Sequence, residues 1–102
     1  MFRIPGKFSE MSSTVSKPAV LLQHGWLADH KFWTCNDADL SPAFILANAG
    51  YDVWLGNNRG DRFARAHTTL STSDKAFWDI NCVKMGQEDA PAFIDFILEK
   101  TG

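Results

Sequence analysis

The stretch Ser41-Pro42-Ala43-Phe44-Ile45-Leu46-Ala47-Asn48-Ala49-Gly50-Tyr51-Asp52-Val53-Trp54-Leu55-Gly56-Asn57-Asn58-Arg59-Gly60 decides the fold. Its first half is a punctuated helix, expected over Asp39 to Gly50: Ser41 stands at the N-cap, Pro42 at the first helical position, and Gly50 closes an Ala/Phe/Ile/Leu body. Its second half opens with Tyr51 to Leu55, rich in β-branched and aromatic residues, and stops at the turn formers Gly56 to Gly60. That is a strand followed by a tight turn.

Working outward toward the amino terminus, Ala19-Val20-Leu21-Leu22 is an unbroken apolar run bounded by Lys17-Pro18 and by Gln23-His24-Gly25. Without polar alternation it predicts a strand from Ala19 to Gln23 buried on both faces, the kind that belongs to parallel sheets. Strand, helix, strand is a βαβ unit with a right-handed crossover and two parallel strands. The fold class is therefore α/β. Ser9 to Pro18 is polar, ends in proline and reads as a surface loop. Toward the carboxyl terminus, Asp61 to Asp79 is irregular, with one helical turn expected near Asp74 to Trp78. Asp89 to Lys100 predicts a second helix: Phe93, Ile94, Ile97 and Leu98 repeat at helical spacing, Asp89 can cap the start, and Gly102 suits the end.

Composition narrows the function classes. The 102 residues are 45% apolar and 22% charged, which excludes a disordered chain and fits one unit of about domain size. Ten basic against twelve acidic residues leave a net charge of −2, so no nucleic-acid partner is expected. The longest purely apolar run, Ala43 to Ala47, is far short of the roughly 18 residues of a membrane span, and Met1 to Glu10 lacks the apolar core of a signal peptide. Cys35 and Cys82 lack the CxxC spacing of a zinc or redox site and read as free thiols. His30 and His67 have no partner at a metal-ligand spacing and read as solvated loop residues; no metal site is expected.

In open α/β sheets ligands bind at the carboxyl ends of the strands. Two loops qualify, Gln23 to Trp33 and Gly56 to Arg65. A glycine just past a buried strand, Gly25, lets backbone approach a ligand closely, and backbone N–H groups there could serve a developing anion. Gly56 to Gly60 lacks the Gly-Lys-Ser/Thr of a phosphate loop. Of the four tryptophans, Trp33, Trp54 and Trp78 are expected in the core and Trp26 at the ligand side.

Arg3-Ile4-Pro5, Gln23-His24-Gly25 with Trp33 downstream, Phe44 to Ala47, Ala49 to Gly60, Phe77-Trp78, Pro91-Ala92, and Ile94 to Leu98 with Lys100-Thr101-Gly102 together resemble the acid lipases. That group of α/β-hydrolases comprises gastric lipase, lysosomal acid lipase and sterol esterases. The resemblance covers residues 1–102 as a partial α/β-hydrolase domain. It implies hydrolysis of triacylglycerols or sterol esters by a Ser-His-Asp triad, with no metal or organic cofactor, at a lipid–water interface, in a secreted or lysosomal setting. It also places the backbone N–H of Trp26 in the oxyanion hole, on a loop shaped by His24 and Gly25. Three positions depart from the family pattern: Trp26 where leucine is usual, Asp61 where asparagine is common, and Val83-Lys84-Met85 where an acidic residue usually precedes the methionine.

The α/β-hydrolase nucleophile sits in G-x-S-x-G on a strand-to-helix elbow. None of Ser9, Ser12, Ser13, Ser16, Ser41, Ser71 and Ser73 has that glycine spacing, so nucleophile, acid and base are expected outside these residues. His24 has no such nucleophile beside it and is not read as a general base. Family members carry the elbow shortly after Lys-Thr-Gly, so the chain resembles the amino-terminal part of a lipase catalytic domain. The alternative is a catalytically inactive product that at most binds lipid or a partner. Arg59-Gly60-Asp61 spells a cell-adhesion tripeptide, but its first two residues belong to the family turn. Finally, the strand from Ala19 to Gln23, central in the family sheet, is expected here as an unpaired apolar edge, an aggregation liability.

Overall fold

A computed structural model describes residues 1–7, 9 and 15–102. Of the loop expected over Ser9 to Pro18, residues 10–14 lie outside the described residues. Among the described residues, three strands form one sheet in the order β1-β3-β2: β1 (Phe2–Ile4), β2 (Ala19–Leu22) and β3 (Asp52–Leu55). β2 and β3 run parallel, with Ala19 level with Asp52 and Leu22 level with Leu55. This is the βαβ pair read from the sequence. β1 joins the other side of β3 antiparallel, so the sheet is mixed.

β3 is the central strand and its four residues are all buried. β2 is the edge, exposed at Ala19 and half-buried from Val20 to Leu22, rather than buried on both faces. The difference is one of neighbours. An apolar strand is covered on both faces only when elements pack on each, and among the described residues β2 pairs on one side only.

Helix α1 (Pro42–Asn48) is shorter than the expected Asp39 to Gly50 but ends as its glycine dictates. Gly50 adopts φ +99°, the Gly50 N–H donates to the Ala47 carbonyl (3.2 Å) and the Tyr51 N–H to the Leu46 carbonyl (3.2 Å). This is the pairing of a Schellman motif, which needs a left-handed residue. At the other end Ser41 occupies the N-cap but does not cap with its side chain. Its buried hydroxyl instead donates to the Asn36 carbonyl (2.7 Å) and accepts from the Asn36 N–H (3.1 Å), tying down the preceding turn. Ala43 and Ala47, one turn apart, present small side chains that let α1 lie close against Val53 and Leu55, and Ile4, Leu22, Trp33 and Leu46 close around this core.

A carboxylate is built into the sheet. Asp52 is 3% exposed and accepts from Arg3 Nε (2.9 Å), Arg3 Nη2 (3.0 Å) and Trp54 Nε1 (3.0 Å). The Arg3 guanidinium also lies 4.6 Å from the Trp54 ring centre, so β1 is fastened to β3 by side chains as well as by its ladder. The hydrogen bond to Asp52 raises the Arg3 pKa above its ordinary value against the opposing effect of partial burial.

The carboxyl-terminal segment begins earlier than the sequence pattern indicates. Asn81 caps a helical turn, α2 (Cys82–Lys84), by accepting from the Lys84 N–H (2.9 Å). A π turn over Met85–Asp89 then leads into α3 (Ala90–Thr101). Asp89 is therefore inside the helical run, in helical conformation and without a capping bond, contrary to the cap expected of it. Of the apolar stripe on α3, Ile97 is buried and Phe93 half-buried, whereas Ile94 and Leu98 stay exposed. Between β3 and α2 the chain is irregular apart from one tight 3₁₀ turn, Lys75–Trp78, at the place expected. Among the described residues, no helix is long and apolar enough to cross a membrane.

Candidate functional site

Because β2 and β3 are parallel and their last residues are level, the two loops that follow them emerge side by side. Between them lies an open cleft of about 780 Å³, its walls reaching from Trp26, Leu27 and Phe32 to Trp78, Ile80 and Met85. Trp78 is 43% exposed and faces this cleft, so the expectation that it belongs to the core is corrected; Trp54 is 4% exposed and Trp33 packs on the core, as expected.

The first loop leaves β2 through Gln23 and the buried His24, then turns sharply. The Ala28 N–H donates to the Gly25 carbonyl (3.3 Å) and Leu27 takes φ +61°. A left-handed conformation is costly for a branched apolar residue, on the order of 1–2 kcal/mol. Leu27 adopts it while 95% exposed, and its neighbour Trp26 is 53% exposed. Among the described residues no acceptor engages the N–H of Trp26 or Leu27. Gly25 needs no special φ, and a Cβ there would meet no described atom within 4 Å, so nothing among the described residues demands a glycine. Asp29 ends the turn by accepting from the Lys31 N–H (2.8 Å).

The second loop is held by side chains. Asn58 accepts from Gln23 Nε2 (2.8 Å) and donates its own amide to the His24 carbonyl (3.4 Å), joining the two strand ends. Arg59 donates to Asp89 through its backbone N–H (3.2 Å) and its Nε (2.8 Å), and pairs with Glu88 (2.7 Å), which fastens the turn to the start of α3. The hydrogen bond to Asp89 raises the Arg59 pKa, with Glu88 adding to it and burial opposing it. Gly60 has φ +87°, and a Cβ there would stand 2.5 Å from Ile80 Cδ1. This position does require glycine.

His24 joins the loops. Its side chain is 2% exposed. Nδ1 is 2.8 Å from the Gly25 carbonyl, and Nε2 is 3.0 Å from the Asn58 N–H and 3.1 Å from Asp61 Oδ2. Asp61 Oδ1 in turn accepts from the Phe63 N–H (2.7 Å). Both charged ends of Arg59-Gly60-Asp61 are thus engaged inside the fold, and the tripeptide is not displayed. A second link is the pair Arg62–Asp29 (2.9 Å). Partial burial pushes the Asp29 pKa up, but the Lys31 N–H and the Arg62 guanidinium outweigh it and hold the carboxyl below its ordinary value.

Of the residues singled out in the sequence, His24, Gly25 and Trp26 come together at the cleft. His30 does not behave as a solvated residue: its ring stacks on Phe2 at 4.1 Å, meets Phe63 edge-on at 4.6 Å, and its N–H donates to Asn57 Oδ1 (3.1 Å). His67 is exposed, as expected, and accepts from the N–H groups of Thr69 and Leu70. Cys35 and Cys82 are free exposed thiols. Among the described residues, no group of three or more His, Cys, Asp or Glu is arranged to hold a metal ion.

The sequence pattern of the alpha/beta hydrolase fold matches residues 18–102. Three human proteins are close relatives over 98% of the chain: lysosomal acid lipase/cholesteryl ester hydrolase at 50% identity, gastric triacylglycerol lipase at 47% and lipase member N at 46%. The chain spans about 25% of the length of each. A parallel strand pair, its crossover helix, a cleft at the strand ends and the match over residues 18–102 agree: the chain belongs to the alpha/beta hydrolase fold family.

Proposed function

We propose that residues 1–102 form the amino-terminal part of the catalytic domain of a lipid ester hydrolase of the triacylglycerol lipase or sterol esterase type. In this reading His24, Gly25 and Trp26 build the oxyanion-hole loop, and the backbone N–H of Trp26 is one of its donors. The serine nucleophile, acid and base come from outside these residues. The lipid substrate approaches from a lipid–water interface, in a secreted or lysosomal setting, as the names of the lysosomal and gastric relatives suggest.

The observation that carries the reading is the Trp26 N–H itself: a backbone donor without an acceptor among the described residues, beside an apolar cleft, on a turn held in left-handed geometry at Leu27. Acyl transfer needs a preformed donor about 2.7–3.1 Å from the developing oxyanion, and losing one such donor typically costs 10²- to 10³-fold in kcat. Because the contribution comes from backbone, tryptophan can stand where leucine is usual. Its indole narrows the mouth of the cleft, which favours slender acyl chains over bulky ones.

Residues 1–102 alone are inactive in this reading, since they hold an oxyanion donor but no nucleophile. The test is a chimera in which they replace the matching segment of human gastric triacylglycerol lipase. A folded chimera that hydrolyses emulsified triacylglycerol or sterol ester supports the proposal. A folded chimera without activity refutes it, as does robust turnover by residues 1–102 alone.

A further inference from the structure

The Gly25 carbonyl and the Trp26 N–H belong to one peptide unit, which is planar, so whatever orients the carbonyl also aims the N–H. Two donors hold that carbonyl, the Ala28 N–H and His24 Nδ1. A carbonyl oxygen only accepts, so Nδ1 carries a hydrogen. The direction of the Trp26 N–H therefore depends on how the His24 ring is set. The ring is set from its far side, where Nε2 faces Asp61 Oδ2 at 3.1 Å and the Asn58 N–H at 3.0 Å.

Nε2 has one site for a hydrogen or a lone pair, not both. As a lone pair it accepts from Asn58; as an N–H it donates to the Asp61 carboxylate. Asp61 is the carboxylate that Nε2 faces, at 3.1 Å. It is itself fixed, 9% exposed, with its other oxygen held by the Phe63 N–H. The remaining charges of the two loops are engaged elsewhere or line the cleft: Asp29 with Arg62, Arg59 with Glu88 and Asp89, and Lys31 and Arg65 at the cleft wall.

We propose that Asp61 is a positioning residue for ester hydrolysis: through His24 Nε2 it sets the imidazole whose Nδ1–H holds the Gly25–Trp26 peptide and so aims the Trp26 N–H at the oxyanion. The inference rests on the oxyanion role proposed for Trp26. With one oxygen on His24 Nε2 and the other held by the Phe63 N–H, Asp61 acts through the imidazole. The arrangement has the logic of a carboxylate orienting a histidine, with a backbone peptide in place of a nucleophile.

The experiment uses residues 1–102 within the gastric lipase chimera, with Asp61→Ala, Asp61→Asn and His24→Gln variants. Aim at the oxyanion matters in the transition state, so Asp61→Ala should lower kcat about tenfold while KM stays within about twofold. Asp61→Asn, which keeps a polar partner for Nε2, should recover most of that loss. Selective ¹⁵N-histidine spectra, with His24 assigned through His24→Gln, should show the Nε2 resonance displaced in Asp61→Ala and Nδ1 still protonated. An unchanged kcat in Asp61→Ala, a loss shared equally by KM and thermal stability, or an undisturbed His24 resonance would overturn the proposal. An inactive but folded unmutated chimera refutes the hydrolase reading instead, and the ¹⁵N spectra then decide the Asp61–His24 link by themselves.

Discussion

The two loops at the carboxyl ends of β2 and β3 leave the same sheet at the same level, yet they are built in opposite ways. The loop after β3 is strapped down: Asn58 to Gln23, Arg59 to Glu88 and Asp89, Gly60 against Ile80. The loop after β2 spends conformational energy and exposes apolar surface, with Leu27 left-handed and in solvent, Trp26 half in solvent, and open space beside Gly25. A frame should be intolerant of change and silent in function. A presenting loop should tolerate change structurally and answer in function. Strain at an exposed apolar residue points to the second kind.

The contrast can be broken in order of expected effect, with each variant carried in the gastric lipase chimera and followed by denaturant unfolding. Gly60→Ala forces φ +87° on a residue with a Cβ, while the Ile80 Cδ1 it would meet at 2.5 Å is the far end of a side chain that can move aside, so the backbone sets the cost at about 1–2 kcal/mol. A cost below about 0.5 kcal/mol would show that the second loop is not a frame. Arg59→Met removes the guanidinium from Asp89 but leaves the backbone N–H bond to it, and should cost about 1 kcal/mol, discounted because the arginine side chain is 33% exposed. Leu27→Gly removes the left-handed penalty and should raise stability by up to about 1 kcal/mol while lowering turnover, because the apolar wall of the cleft goes with it. Gly25→Ala should change stability by less than about 0.5 kcal/mol and still lower turnover, since the added methyl points into open space where substrate is proposed to pass.

The smallest effect concerns the strap between the loops. Asp29 has a folded pKa below its ordinary 3.8, so its pairing with Arg62 is fully present above that value. It is lost as pH falls through the lower folded value. Acidification below about pH 4 should therefore destabilise the parent slightly more than Asp29→Asn. Identical acid profiles would show that the Asp29–Arg62 pair contributes nothing.

What could be read in the sequence was local. Ser41-Pro42 and Gly50 bracket α1, the β-branched and aromatic run Tyr51 to Leu55 marks a strand, and His24-Gly25-Trp26 falls at a strand end. The sequence pattern, however, puts the doubly buried strand at Ala19 to Gln23, whereas β3 is the buried central one. What could not be read depends on residues far apart in the chain. Asp89 suits a helix cap by type, but Arg59, 30 positions away, engages its carboxylate while the helical run extends past it. Asp61 stood out in the sequence as a departure from a family pattern and as the end of an adhesion-like tripeptide, neither of which points to His24. Its contact with His24, 37 positions away, exists because β2 and β3 are neighbours. His30 has no local signal for its seat between Phe2 and Phe63. The positive φ of Leu27 is likewise invisible, because leucine is not a residue that advertises it.

The central claim is that this chain supplies the oxyanion loop of a lipid ester hydrolase, and the most direct measurement is the turnover of emulsified triacylglycerol by the gastric lipase chimera carrying residues 1–102. The account predicts a folded chimera whose kcat lies within about tenfold of the parent lipase and falls again when the Asp61–His24 link is cut. A chimera that melts cooperatively like the parent yet turns over no ester would contradict it.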